Sequence, residues 1–200
     1  MLDKIALQRS TFLVNNILEN SDFKNNAKGW NAFFIESSFD DGILTLTSKD
    51  STDSRLQRRP NTSYQIGNIL YWAANIKADK SNIGVGAAGA LYVSHTGSGD
   101  WERISTTRNS LYDSIALSIV DKNDNSNTFY VKNYIVVNLT ETFGKGNEPT
   151  TKQMDELLSQ FDDGWFDGKR NVFNAEHMLK MYFNKTKELD NAITSLGGSI

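Results

Sequence analysis

Two hundred residues, 38% of them hydrophobic and 11% aromatic, suffice for one core of moderate size plus appendages. A formal net charge of −3 offers no global basic field for nucleic acid or an anionic membrane. The absence of cysteine excludes disulfides and thiolate metal sites without assigning a compartment.

Over residues 1–12, Leu2, Ile5, Arg9 and Phe12 fall three, four and three apart, so the spacing predicts a short helical segment whose seam Arg9 interrupts. Asp3, Lys4, Gln8 and Arg9 break the apolar run, so neither a signal peptide nor a membrane span is expected there. Release from a producing cell is then expected by lysis rather than secretion.

Residues 13–149 read as short strands separated by turn signals. Phe12 to Leu18 is β-favouring and bounded by Asn20-Ser21-Asp22. Asp40-Asp41-Gly42 is a hairpin signal between Trp30–Ile35 and the alternating run Gly42–Thr47. Along Ile66–Ala78, Leu70, Trp72, Ala74, Ile76 and Ala78 form the more apolar face and are assigned to the core, while Ile69, Tyr71, Ala73, Asn75 and Lys77 form the other. The small residues of Gly84–Val93 suit close strand packing, and no GKS/GKT ending follows to make them a phosphate cradle. Trp101–Ser105, Ser114–Val120 and Phe129–Leu139 complete about eight to ten strands, the pattern of a mainly β sandwich rather than of alternating β and α units.

Residues 150–170 are predicted to form a lid. Thr150 and Thr151 are capping residues, Asp155 and Glu156 sit early in the helix, and Met154, Leu157, Leu158 and Phe161 give it one apolar face. Trp165-Phe166 between two Asp-Gly pairs forms an aromatic turn over the same surface. Residues 171–200 are predicted to form a C-terminal, coiled-coil-like helix. Its seam runs through Val172, Ala175, Leu179, Tyr182, Thr186, Leu189, Ile193 and Leu196. That seam is compatible with a homo-oligomer, a trimer preferred, and with packing on the chain's own domain.

Two of these stretches carry a resemblance. Asn138-Leu139-Thr140, Phe143-Gly144, Gly146-Asn147-Glu148-Pro149, Met154-Asp155 and Gly164-Trp165-Phe166-Asp167-Gly168 resemble a cassette of tail, baseplate and minor structural proteins of phages infecting Gram-positive bacteria. Asn16 to Phe23 with Gly29-Trp30, and Gly99-Asp100-Trp101-Glu102-Arg103, resemble segments of jelly-roll carbohydrate-binding modules, with Ser21 where those modules usually carry Gly. The resemblance implies a jelly-roll sandwich within a virion tail component, other tail proteins as partners, and a structural calcium near Glu19 or Asp22.

No catalytic constellation is legible. His95 and His177 have no partner by spacing, and the carboxylate clusters sit in turn sequences, so the chain is expected not to be an enzyme. Asp121-Lys122-Asn123-Asp124-Asn125 lacks the later bidentate Glu of an EF-hand. Sugar binding needs aromatic faces and planar polar groups. The candidates are Tyr64, Trp101 and Tyr112 with Arg55, Gln57, Arg58 and Arg59, while Trp30 and Trp72 are assigned to the core. Taken with these residues, the resemblance implies a non-enzymatic tail component contributing to recognition of a host cell-wall polysaccharide or teichoic acid. A ligand-free spacer or assembly domain, and a module accessory to a cell-wall hydrolase, are the alternatives.

Overall fold

The computed structural model describes residues 11–25, 28–49, 53–60, 64–111, 117–123, 125–173, 187 and 191–195. In chain order the strands are β1 (Thr11–Asn15), β2 (Asn31–Phe33), β3 (Ile35–Asp40), β4 (Ile43–Ser48), β5 (Ser54–Arg58), β6 (Ile69–Lys77), β7 (Ile83–Ala87), β8 (Ala90–Ser94), β9 (Trp101–Asn109), β10 (Leu117–Asp121), β11 (Thr128–Asn138) and β12 (Lys169–Phe173). Two short helices, α1 (Leu139–Phe143) and α2 (Thr151–Leu158), lie between β11 and β12.

Ten strands make two five-stranded sheets, one in the order β2-β5-β10-β7-β8 and the other β3-β4-β11-β6-β9. Every pairing is antiparallel. The sheets face each other across a core that includes Leu44, Leu56, Trp72, Ile119, Phe129 and Val136, so the mainly β sandwich read from the alternation is present. Tyr134 crosses this core, and its hydroxyl donates to the Ser118 carbonyl at 3.3 Å. Burial without a charge partner pushes that phenol well above its ordinary pKa.

The second sheet has a further core on its outer side. Tyr71 and Ala73 of β6 and Ile135 and Val137 of β11 are covered by Met154, Leu157 and Leu158 of α2, by Phe143 and Phe166, and by Val14 and Val172. Both faces of β6 are therefore buried over most of its length, which its near-continuous apolar sequence anticipates.

The ends of the described domain depart from the sequence reading. Residues 11–15 are a strand, as the β-favouring run from Phe12 anticipated, so Thr11 and Phe12 do not end a helix over 1–12: Val14 is buried, Leu13 is exposed, and Phe12 packs on Phe143 with ring centroids 4.7 Å apart. Two-residue alternation fixed by a neighbouring strand prevails over the three- and four-residue spacing. That neighbour is β12, where Val172 pairs with Phe12. Val172 thus belongs to a strand and not to the predicted C-terminal seam, because β1 offers it a hydrogen-bonding edge and a buried place. Of the remaining seam, Ile193 falls in a helical stretch over 191–195, while Leu179, Tyr182, Leu189 and Leu196 lie outside the described residues, as does the predicted helix up to residue 10.

The two resemblance stretches meet in one buried polar knot. Asn16 donates through Nδ2 to Ser21 Oγ (2.9 Å) and to the carbonyls of Tyr134 and Phe166 (3.3 and 3.2 Å). Its Oδ1 accepts from the Leu18 and Val136 amides. Trp165 Nε1 donates to the Tyr134 carbonyl at 3.1 Å and to Ser21 Oγ at 3.3 Å. Ser21 therefore supplies an acceptor that a glycine at that position could not.

A helix forms over Thr151–Leu158 of the predicted lid, and Phe161, assigned to its apolar face, lies in extended backbone beyond its end. Thr150 and Gln153 make a reciprocal capping box, and Met154, Leu157 and Leu158 turn toward the sheet. Asp155 has a different role from the dipole partner read in the sequence. Its two oxygens accept from Tyr71 Oη (2.6 Å) and Ser105 Oγ (2.8 Å), pinning the helix to β6 and β9. Desolvation, opposed by the nearby Arg103 charge and assisted by Asp155, keeps the Tyr71 phenol protonated far above its ordinary range.

Candidate functional site

The arginine cluster is not the open fork set that the sequence pointed to. Arg58 is tied to Glu19 Oε2 at 2.5 Å and to the Lys28 carbonyl at 3.2 Å. Arg55 is paired with Asp53, donates to Gln57 Oε1 at 3.1 Å, and lies 4.3 Å above the Phe33 ring centroid. Hydrogen bonding from Arg55, with its charge and that of Lys122, holds the Asp53 carboxyl below its ordinary pKa. Arg59 alone is exposed. Tyr64, read as a rim aromatic, is buried at 3% exposure in the sandwich core and offers no face to a ligand. Tyr112 lies outside the described residues.

The carboxylates implied for calcium are committed elsewhere. Glu19 is bound by Arg58, and Asp22 accepts from the Lys24 amide (3.2 Å) and pairs with the Lys24 ammonium (3.3 Å). These residues do not fit a cation, which needs several oxygens converging without a competing positive group. The buried carboxylate of Asp121 is likewise saturated, accepting from Ser48 Oγ, the Asn123 amide and side chain, and Asn127 Nδ2. It staples β10 to the loop after it and to β4.

Trp101 stands apart from these. It opens β9 and is 39% exposed, and strand alternation places it on the lid side of the second sheet, beyond the end of the lid. Register gives its neighbours. Trp101 pairs with Lys77 of β6, Lys77 with Tyr130 of β11, Tyr130 with Thr45 of β4, and Thr45 with Ser38 of β3. All five side chains share one face, because Ile76 and Ala78, Phe129 and Val131, and Leu44 and Leu46 point into the opposite core. Tyr130 is 36% exposed, and Lys77 is exposed without an ion-pair partner among the described residues. The row is an open track of aromatic, cation, aromatic and two hydroxyls.

The lid forms one wall of this track. Arg103 donates to the carbonyls of Asp163 (3.0 Å) and Gly164 (2.8 Å) and to Tyr71 Oη (3.3 Å). Asp163 Oδ2 accepts from Lys132 (3.2 Å) and Asn133 (2.9 Å), and Lys132 Nζ also lies 5.2 Å from the Trp101 ring centroid. A β-bulge between Lys132 and Ile135, with Asn133 at φ 56°, turns Asn133 toward the lid.

The loop leading into Trp101 is held by Glu102. Its carboxylate accepts from the Thr96 amide (2.9 Å), from Thr96 Oγ1 and from Ser98 Oγ (2.7 Å). Those bonds, the Thr96 hydroxyl first, lower the Glu102 pKa to about 2. Buried His95 completes the loop. Its Nδ1 accepts from the Gly97 amide, which leaves the proton on Nε2 to donate to the Asp100 carbonyl at 2.9 Å.

Tyr130 and Lys77 escaped the sequence reading as site residues. Alternation alone put Lys77 on the less apolar face of its strand, but which strands flank it is a matter of sheet order. Tyr130 stands between Phe129 and Val131, and that alternation was its one available signal.

No family model matches this chain, and no curated protein does. Among solved structures it is similar to a mutant of the family 29 carbohydrate-binding module CBM29-2 complexed with cellulohexaose, at 12% identity and a TM-score of 0.46, covering 64% of this chain and 92% of that one. It is also similar to the second N-terminal cellulose-binding domain of Cellulomonas fimi β-1,4-glucanase C, at 12% identity and a TM-score of 0.44, with 62% and 95% covered. A third likeness is to CBM29_1 of Piromyces equi, at 19% identity and a TM-score of 0.42, with 64% and 87% covered.

Proposed function

We propose that this chain is a non-enzymatic phage tail or baseplate component that binds a host cell-surface glycan across the row Trp101, Lys77, Tyr130. The observation that carries the binding reading is the pair of exposed rings in one cross-strand row, beyond the end of the lid that covers the middle of β6 and β11. Aromatic rings stack on the C–H faces of pyranoses, and both rings are in part open to solvent, although Lys132 Nζ lies 5.2 Å from the Trp101 centroid. The virion reading is supported by the cassette residues, which form the lid and the Asn16 knot and so mark how the domain is assembled rather than what it binds. Weak sites repeated on one oligomer would bind through avidity, without a deep pocket in any copy.

The test is affinity electrophoresis against purified polysaccharides and teichoic acids of Gram-positive walls. Retardation is expected, with each of Trp101→Ala and Tyr130→Ala weakening it about threefold to tenfold, the size of one aromatic stacking contact. The polysaccharide should be recovered at its original length. A wild-type protein retarded by none of these polymers would instead be a spacer.

A further inference from the structure

Resting on that glycan-binding reading, we infer that the track takes an extended glycan lying across the strands, one sugar per strand, with an acidic residue seated over Lys77 between two sugars stacked on Trp101 and Tyr130. Neighbouring strands lie about 4.8 Å apart, close to the advance of one pyranose along an extended chain. Side chains of a single cross-strand row therefore meet successive sugars. Trp101 and Tyr130 are two strands apart and grip residues one and three. Lys77 faces residue two, and the hydroxyls of Thr45 and Ser38 face residues four and five. The sheet's twist, roughly 20–25° per strand, turns the second ring relative to the first and favours a twisted polymer over a flat one.

The charge pattern selects the acid. Lys77 has no carboxylate partner among the described residues, although the chain as a whole is negative. Lys132, the next cation on this face, is held by Asp163, and Arg103 is spent on the lid carbonyls. Asp79 and Asp100 stand beyond the strand ends and outside the row. The row itself presents one free positive charge between two rings, an arrangement complementary to a carboxylate or phosphate on every second sugar.

Three probes test this by titration of intrinsic tryptophan fluorescence and, for every variant, by calorimetry on the full chain. They are a hyaluronan octasaccharide with alternating uronates, a neutral β-1,4-linked hexasaccharide, and poly(glycerol phosphate), which has charge but no pyranose in its backbone. The hyaluronan oligosaccharide should bind tighter than the neutral one. Lys77→Gln should weaken it roughly threefold to tenfold, as loss of an exposed charge-assisted hydrogen bond would, and weaken the neutral glycan by a clearly smaller factor. Poly(glycerol phosphate) should bind weakest, since it cannot stack. Equal affinity for acidic and neutral chains, with Trp101→Ala weakening both and Lys77→Gln neither, would overturn the acid assignment and leave the glycan site standing. Affinities indifferent to Trp101→Ala would remove the glycan site itself. Circular dichroism and melting of each variant establish that the sandwich is intact.

Discussion

Glu102 shows how one side chain can govern the approach to the site. Its carboxylate gathers the loop from Thr96 to Ser98 immediately before Trp101, and those hydrogen bonds lower its pKa from the ordinary 4.5 to about 2. A folded-state pKa below the unfolded one means that the loop's stabilisation is complete above about pH 4.5. It is lost as pH falls from there through 2. Amide exchange at Thr96 and Gly97 should therefore accelerate, relative to the sandwich core, across that window. In Glu102→Gln the acceleration should be present already at neutral pH. A ratio of loop to core exchange that stays flat from pH 5 to pH 2 would show that the carboxylate does not hold the loop. Asn16 illustrates the opposite kind of residue, buried and reaching five partners with one amide, four of them backbone groups inside the domain.

Helix α2 is too short to persist alone, since isolated helices of that length are marginal in water even with a capping box. It is helical because Met154, Leu157 and Leu158 have a sheet to cover and because Asp155 is clasped by Tyr71 and Ser105. Leu158→Ala should destabilise the protein by about 2–5 kcal/mol, the range for a buried leucine that leaves a cavity. Urea unfolding followed by tryptophan fluorescence measures it. A loss near zero would mean that the lid opens independently of the sandwich. Because Asp163 and Gly164 clasp Arg103 just beyond α2, the element that stabilises the outer core also walls the track.

For the whole molecule, the proposal of a repeated, avid binding unit requires an oligomer. The support is the spacing of Leu179, Tyr182, Leu189, Ile193 and Leu196, with Ile193 half-buried in its helical stretch. Light scattering should give a trimer for the full chain. Leu189→Asp with Ile193→Asp should give a monomer whose sandwich still melts cooperatively, because charge in an apolar seam costs more than a short bundle supplies. A double variant that retains the wild-type mass would remove the avidity mechanism.

What the sequence determined by itself was local. Alternation in β4 and β6, the Asp41-Gly42 turn, the Thr150 cap and the apolar face of α2 were legible because side-chain period and backbone hydrogen bonding act over a few residues. Tertiary structure decided the rest. Val172 became a strand residue because β1 supplied an edge, Tyr64 went inside, and Arg58 was neutralised by Glu19 from elsewhere in the chain. The aromatic row exists only through the order β3-β4-β11-β6-β9, which brings Ser38, Thr45, Lys77, Trp101 and Tyr130 side by side. Which strand neighbours which is set by the packing of two sheets and a lid, and no local period encodes it.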